Sequence, residues 1–337
     1  MKILITGASG FIGQRTVKNF LNRGHHINVL IRNPEHKTLF DPSVKVVQGD
    51  ITNPDMVQKA AEETEIIIHM AAMSTLWTNQ NQLYYKINVG GTKNVLDAAL
   101  KNNSKIIYIS TAGVIGPQEN THPVNENHRR TVPFFNDYER SKAQAEDLVK
   151  EYYEKYGLSS VILNPTRVFG PGLLSKSNSV TTIIKKYIEG TWKFIPGNKD
   201  AVGNYVFVED VIQAITLAIQ QNIEGERFIV GGENASWQQF FDKLAAVSGV
   251  KNKMYVMPIG LMLTAAHVFD SYSKIFKKPP LITPPWIKRY TYNWGADISK
   301  AREILGYTPL SLEEGMKKTI HWLQNSTLSK PVKKISV

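Results

Sequence analysis

The sequence predicts an α/β protein whose core is a parallel sheet wound by helices on both faces, and three observations carry that prediction. Six short apolar runs rich in Ile and Val recur through the first half, longer segments with helical spacing separate them, and the first run leads directly into a glycine-rich turn. Strands without polar alternation are buried on both faces, and strands separated by helices pair in parallel. Such a doubly wound sheet binds its ligand at the carboxyl ends of its strands.

The first run, "KILIT", opens into "TGASGFIG", where Gly7, Gly10 and Gly13 are spaced G-x-x-G-x-x-G ahead of a helix. Glycines there permit a tight turn and let the backbone approach a pyrophosphate, whose charge is favoured by the free N–H groups of a helix start. At the head of a strand–helix alternation, this turn predicts dinucleotide binding. The second run, "INVLI", ends in "VLIRNP", and the residue at that strand end faces the adenosine ribose. An acidic side chain would accept from a 2′-hydroxyl, whereas Arg32 can pair with a 2′-phosphate, so NADP(H) is the expected cofactor and NAD(H) the second choice. An ordinary surface arginine is the competing reading, and Lys37 is a weaker partner for the same phosphate. "VKVVQ" follows, then a helical segment over Asp55 to Glu63, then "EIIIHM" and a second helical segment over Gln82 to Lys101. "KIIYIS" and "SSVILN" flank the third, Asp137 to Tyr156.

That third segment opens "FNDYERSKAQAE", with Tyr138 four residues before Lys142 and so one turn away on the same face. Of the fourteen tyrosines only Tyr138 has a lysine at that offset. The pair is common on solvated helices, so the spacing alone leaves a structural reading open beside a catalytic one.

Composition narrows the classes. A chain of 337 residues with 42% hydrophobic content can bury a large core, in one big domain or two closely joined ones. The absence of cysteine excludes disulfides and thiolate metal sites and fits a reducing, cytoplasmic compartment. The eight histidines are scattered, and adjacent His25 and His26 point in divergent directions, so no metal is expected. The N-terminal apolar run is broken by Gly7 and Gly10 and reads as mature protein. No stretch reaches about eighteen uninterrupted apolar residues, so membrane contact is expected to be peripheral at most. The formal charge of +11 comes from dispersed Lys and Arg without aromatic interleaving. It is expected to aid solubility and attract phosphorylated ligands rather than nucleic acid.

Several motifs then occur in order: "TGASGFIG", "GDI" at Gly49 to Ile51, "HMAA" at His69 to Ala72, "NVGGTKNVLDAA" from Asn88, "ISTAGVIG" from Ile109, "YERSK" and "NPTRVFGPG" from Asn164. "NYVFVEDV", "FIVGGENAS" and "DISKAREILGYTPLSLEEGM" continue the series nearly to the end. Together they resemble the extended short-chain dehydrogenase/reductase family, within the NAD-dependent epimerase/dehydratase superfamily. The resemblance implies a Rossmann-type domain over residues 1–165, rejoined by the strand and helix at about 205–220. It further implies a smaller mixed α/β substrate-binding region over 166–325, a basic tail over 326–337, and a homodimer through the helices from Gln82 and Asp137. By the same resemblance Gly7, Ser9, Gly10, Phe11, Ile12 and Gly13 hold the cofactor, Asp50 and Ile51 contact adenine, and Ala71 and Ala72 lie along it. Asn88 helps hold the active-site geometry, and Pro165 and Val168 flank the nicotinamide. Tyr138 is implied as the acid/base that exchanges the hydroxyl proton, Thr111 as the group orienting the oxygen, and Lys142 as the residue that holds the nicotinamide ribose and favours the phenolate.

Sugar-nucleotide dehydratases of the family place Asp-Glu after the catalytic threonine; here Ala112 and Gly113 stand there, which disfavours dehydration. Epimerases often carry asparagine where this chain has Arg167, which weakens an epimerase reading without removing it. The segment "MPIGLMLTAAHVFDSYSKIFKKPPLITPPWIKRY" couples a helix to a proline-rich basic loop, with Leu261, Ala265, Val268, Tyr272 and Ile275 on one stripe. Such a stripe is expected to be core. The arrangement resembles the branch of 3-beta-hydroxysteroid dehydrogenases and dihydroflavonol reductases, whose equivalent region covers an apolar pocket. The expected activity is therefore hydride transfer to or from a steroid-, flavonoid- or lipid-like small molecule. A nucleotide-sugar epimerase and a non-catalytic NADP sensor are the alternatives.

Overall fold

The computed structural model describes residues 1–328 apart from 76, 77, 79, 120, 176, 177, 277–279 and 281. The expected basic tail lies outside the described residues from 329 onward, as do Lys277 and Lys278 of the proline-rich loop. From the N-terminus, β1 (Lys2–Thr6), α1 (Phe11–Asn22), β2 (His26–Ile31) and β3 (Lys45–Gln48) lead through α2 (Pro54–Ala61) to β4 (Ile66–His69). A short α3 (Gln82–Tyr84) passes through a π-turn at Tyr85–Gly90 into α4 (Gly91–Asn102), followed by β5 (Lys105–Ile109), α5 (Asp137–Tyr156) and β6 (Ser160–Pro165). Then come β7 (Arg167–Phe169), α6 (Ser179–Ile188), β8 (Phe194–Pro196), β9 (Val202–Phe207), α7 (Val208–Gln220) and β10 (Glu226–Val230).

All six apolar runs form strands, and they pair in parallel in the order β3-β2-β1-β4-β5-β6, with β10 added beside β6. Ile3 and Ile5 pack in one core cluster with Val29, Ile107 and Ala214, while Leu4 between them packs in another with Leu30, Val57, Ile67 and Val95. Both faces are covered, which is why the strands read as unbroken apolar runs. Each fully buried Leu or Ile contributes about 1.5–3 kcal/mol through removal from water.

The return to this sheet differs from the expectation over 205–220. The helix of that segment, α7, does join the large domain, with Val211, Ala214, Ile215 and Ala218 in the cluster of Ile5 and Val29. Its strand does not: β9 carries Tyr205 into a separate three-stranded sheet, parallel to β7 and antiparallel to β11 (Glu233–Ser236). The seventh strand is β10 instead. β6 was the open edge of the parallel ladder, and β10, coming directly after α7, pairs with it in parallel.

The rest of the chain comprises α8 (Trp237–Ser248), β12 (Tyr255–Met257), α9 (Ile259–Phe276), α10 (Pro284–Lys288), α11 (Ser299–Leu305) and α12 (Leu312–Leu328). Phe169, Tyr187, Tyr205, Phe207, Trp237, Phe240 and Phe241 build an aromatic core around the small sheet. The stripe expected to be core on α9 faces solvent: Leu261 is 62% exposed, Val268 63% and Ile275 72%. The buried side is Met262 and Ala266, packed on Ile287 of α10. Among the described residues no helix is long and apolar enough to cross a membrane.

Candidate active site

The carboxyl ends of β1, β4, β5 and β6 converge on one edge of the sheet. After β1, Gly7 turns the chain with φ +72, and a Cβ there would stand 2.7 Å from the backbone of Met70 and Ala71. A Cβ on Gly13 would stand 2.2 Å from the Gly7 carbonyl oxygen, so the first turn of α1 can close onto the loop only as glycine. Gly10 is the extended N-cap of α1 and gives no side-chain cap, and the first turn carries no acid. The N–H groups at Phe11, Ile12 and Gly13 therefore point into an anion-favouring space beside half-buried Ser9. This cradle fits a dinucleotide pyrophosphate.

Beneath it, Thr6 and buried His69 are joined at 2.6 Å, and Thr6 Oγ1 also accepts from the Ala71 amide at 3.3 Å. His69 meets Thr92 at 3.0 Å on its other nitrogen, and burial together with the Lys142 charge pulls its pKa down to about 3. It is a neutral clamp that fixes β1, β4 and α4. Ala71 and Ala72 follow, both half-buried.

At the adenosine end Arg32 is largely exposed, its Nε 3.8 Å from the Asp50 carboxylate. Asp50 also accepts from the amide and hydroxyl of Thr52, both at 2.8 Å. Ile51 is buried against Gly91, whose missing Cβ would lie 2.6 Å from Ile51 Cδ1. Sequence reasoning placed Arg32 opposite a phosphate but not beside a carboxylate.

The helix expected unbroken over Gln82 to Lys101 instead contains the π-turn, and Asn88 lies in it. A π-turn adds one residue to the helical repeat and re-aims the side chain, a feature frequent at functional sites. Asn88 accepts from the Met73 amide at 2.7 Å and donates to the Met73 carbonyl at 3.2 Å and to Ser141 Oγ at 2.9 Å. It thus ties the loop after Ala72 to α5, between Tyr138 and Lys142.

Helix α5 starts at Asn136, whose side chain accepts from the Glu139 amide at 2.9 Å, and ends at Gly157 in the left-handed conformation. Lys142 is 2% exposed, donates to the Ile109 carbonyl at 2.8 Å and lies 4.1 Å from the centre of the Tyr108 ring. Burial pulls its ammonium down to about 7, opposed by Glu146. Burial pushes the Tyr138 hydroxyl up to about 12, opposed by the Arg289 guanidinium. Arg289 is thus a second cation acting on the tyrosine, one that sequence reasoning did not name.

Thr111 follows β5, its hydroxyl accepting from the Gly113 amide at 3.2 Å. The Ala112 amide donates to the Pro165 carbonyl at 2.9 Å and Asn164 donates to the Thr111 carbonyl at 3.0 Å, so the ends of β5 and β6 are locked together. Asn164 also donates to buried Glu146 at 2.6 Å, and Glu146 meets Arg227 at 3.4 Å. Pro165 is buried and Val168, on β7, half-buried.

Pattern reading missed a second cluster. Glu139, 1% exposed at its side chain, pairs with Arg130 at 3.1 Å and with Arg289, and accepts from the Phe135 amide at 3.1 Å. Arg289 stacks 4.2 Å from the Trp294 ring, and Phe135 packs edge-on against Tyr292. Phe135, Tyr292 and Trp294 thus form an aromatic cluster around Arg289, just ahead of α5. Glu139 lies inside "YERSK", yet a charge next to the catalytic candidates reads as solvated, and Arg289 comes from 150 positions downstream with no local signal.

A family model described as "NAD dependent epimerase/dehydratase family" matches residues 3–231. A putative dihydroflavonol 4-reductase of Synechocystis is 27% identical over 328 residues, covering 95% of this chain and 94% of that one. A sterol-4-alpha-carboxylate 3-dehydrogenase, decarboxylating, of Candida albicans is 28% identical over 347 residues, covering 95% and 97%. A crystal structure of UDP-glucose 4-epimerase with UDP-glucose from Thermotoga maritima has a TM-score of 0.80 at 23% identity, covering 97% of this chain and 100% of that one, a likeness of fold. With the glycine cradle, the seven-stranded parallel sheet and a model match over more than half its length, the chain belongs to the NAD dependent epimerase/dehydratase family.

Proposed function

We propose that the protein is an NADP(H)-preferring oxidoreductase that interconverts a hydroxyl and a carbonyl on a mainly apolar small molecule. The observation that supports this reading is the set of groups near the strand ends: Thr111 after β5, Tyr138 in the first turn of α5, and the rings of Phe135, Tyr292 and Trp294 packed together just ahead of that helix. Ala112 and Gly113 after Thr111 leave no adjacent carboxylate to drive elimination. The relatives whose names print a flavonoid reductase and a sterol dehydrogenase support the same substrate class.

When bound, the nicotinamide supplies the hydride chemistry. The Gly7 to Gly13 cradle holds the pyrophosphate, Arg32 the 2′-phosphate, and Lys142 the ribose. Thr111 orients the substrate oxygen by a hydrogen bond. Tyr138, held protonated by burial, donates its proton to that oxygen during reduction and takes it back during oxidation, Arg289 stabilising the phenolate. The reading includes a homodimer through α4 and α5, on which Leu100, Tyr153 and Tyr156 stay exposed; sedimentation giving only monomer would remove that part.

The experiment is incubation of protein and NADPH with aromatic aldehydes, ketosteroids, flavanonols and long-chain ketones, beside UDP-sugars. NADPH consumption with an apolar carbonyl and no sugar interconversion is expected. Arg167, which can still bind phosphate, keeps a second reading open, a nucleotide-sugar epimerase; epimerised UDP-sugar without net oxidation would replace the first reading with it.

A further inference from the structure

Of the sixteen large hydrophobic side chains exposed among the described residues, seven lie between Tyr255 and Phe276. Exposed hydrophobics scattered singly over a surface need no explanation, but a contiguous group marks a contact. At about 100° per residue, Leu261, Ala265, Val268, Tyr272 and Ile275 fall within about 80° of the circumference of α9, over roughly 21 Å of its length. Phe276 extends the stripe, its ring 4.4 Å from that of Tyr272. β12 leads into the helix through Pro258 with Tyr255 and Val256 exposed, and Tyr255 stands in register beside exposed Phe194 of β8. The helix is held from another side, where Met262 and Ala266 are buried against Ile287 of α10. The stripe is therefore free to face something else while α9 stays seated.

The charge around the stripe selects its partner. From Gly249 to Ala296 the sequence carries six lysines and one arginine against one acid, Asp270. Arg289 is answered by Glu139, whereas Lys251, Lys253 and Lys288 are exposed. Lys253 lies over the Tyr255 ring, 5.4 Å from its centre, so a cation stands directly beside an exposed apolar group. A second copy of the chain on this face would bring two such basic segments together, which like-charge repulsion opposes. A surface with apolar depth under negative charge answers both features, and an anionic lipid bilayer is that surface. Lysine stems lie along apolar groups while their ammoniums reach the headgroups. Among the described residues no helix is long and apolar enough to cross a membrane, so the contact is with the interface.

We propose that α9 docks the protein on anionic lipid bilayers, with Leu261, Val268, Tyr272 and Ile275 entering the boundary between headgroups and acyl chains and the exposed lysines beside them on the lipid phosphates. The docking does not depend on which substrate the active site turns over.

The test is flotation of the full chain with vesicles of phosphatidylcholine alone and of two parts phosphatidylcholine to one part phosphatidylglycerol, at low and high salt. Partitioning onto the anionic vesicles is expected to be more than about tenfold stronger at low salt, with most of that preference lost at high salt. Val268→Asp combined with Ile275→Asp is expected to lower partitioning at least about tenfold while NADPH affinity and the thermal midpoint hold, because both side chains face solvent. Lys253→Glu combined with Lys288→Glu is expected to remove the anionic preference. A dye reports the contact even should the aspartate pair fail to fold. The chain has no cysteine, so Val268→Cys carries one polarity-sensitive label at one place. Its emission is expected to shift to the blue on anionic vesicles, and the same label on Ile304→Cys, exposed on α11, to stay unshifted. No flotation with anionic vesicles, equal flotation with both compositions, or an unshifted label at position 268 would each overturn the proposal. Dimerisation abolished by the aspartate pair, without flotation, would overturn it in favour of a second copy on the stripe.

Discussion

Two regions of this molecule pair their cations differently. Against the parallel sheet, Arg15 is answered by Glu209, Arg227 by Glu146, and Lys142 by the Ile109 carbonyl with Glu146 one turn further along α5. At the start of α5, Glu139 answers both Arg130 and Arg289, whose guanidinium groups also lie on the rings of Phe134 and Trp294. The first region spreads its charge over separate pairs, whereas the second makes two half-buried arginines depend on one carboxylate.

The strongest way to break the comparison is Glu139→Ala. Removing the shared carboxylate leaves two guanidinium groups in the cleft wall without an anion, and urea unfolding is expected to show a loss of about 3–5 kcal/mol. The exposed i,i+4 pair of Glu151 and Lys155, 2.7 Å apart, should give less than about 1 kcal/mol in the same assay. Equal losses would mean that the Glu139 cluster is no more than a surface ion pair.

Gly13→Ala comes next, on the other side of the comparison. Its Cβ must push the Gly7 carbonyl away from 2.2 Å, which deforms the cradle itself. NADPH affinity by fluorescence titration is expected to fall about 100-fold, the scale of a backbone clash of roughly 1–3 kcal/mol. Unchanged affinity would show that the loop has slack.

Arg32→Ala should have a smaller effect, about tenfold, and only on NADPH, since the side chain is exposed and already 3.8 Å from Asp50. Removing it frees Asp50, so NADH affinity should hold or improve. Equal affinities for the two cofactors in the unmutated protein would make Arg32 a plain surface residue.

The smallest effect concerns pH. Lys142 has its pKa lowered on folding from 10.5 to about 7, so between those values the unfolded chain carries the extra proton and stability rises with pH. The cost of the buried charge is fully present below pH 7. Lys142→Met is therefore expected to be more stable than the unmutated protein near pH 6, on the order of 1 kcal/mol, with the advantage shrinking towards pH 10. A pH-independent difference would mean that Lys142 keeps its ordinary pKa, and with it its charge, in the fold.

What could be read in advance follows the same division. The strands were legible because burial on both faces writes itself as runs such as "EIIIHM", and the cradle because Gly7, Gly10 and Gly13 fall together in one short turn directly after a strand. The pairing of β10 beside β6 was not, since β9 and β10 are both apolar runs and only tertiary pairing distinguishes them. The α9 stripe misled for a related reason: helical periodicity marks an apolar face but not whether anything covers it. Arg289 was illegible because its partners, Glu139 and Trp294, are brought to it by separate elements. Tyr138 and Lys142 were singled out by their spacing and given roles only by the family resemblance, and neither signal told of the burial of Lys142 on the Ile109 carbonyl.

The central claim is that Tyr138 moves the proton, and single-turnover reduction by Tyr138→Phe tests it most directly. The substitution deletes one hydroxyl and leaves the cradle, Arg32 and the Lys142 bond to Ile109 in place. NADPH should bind as before while oxidation of NADPH by the best carbonyl of the panel falls by about 10²–10⁴, the usual worth of a positioned acid. Turnover within threefold of the unmutated protein, with NADPH still bound, would contradict the account.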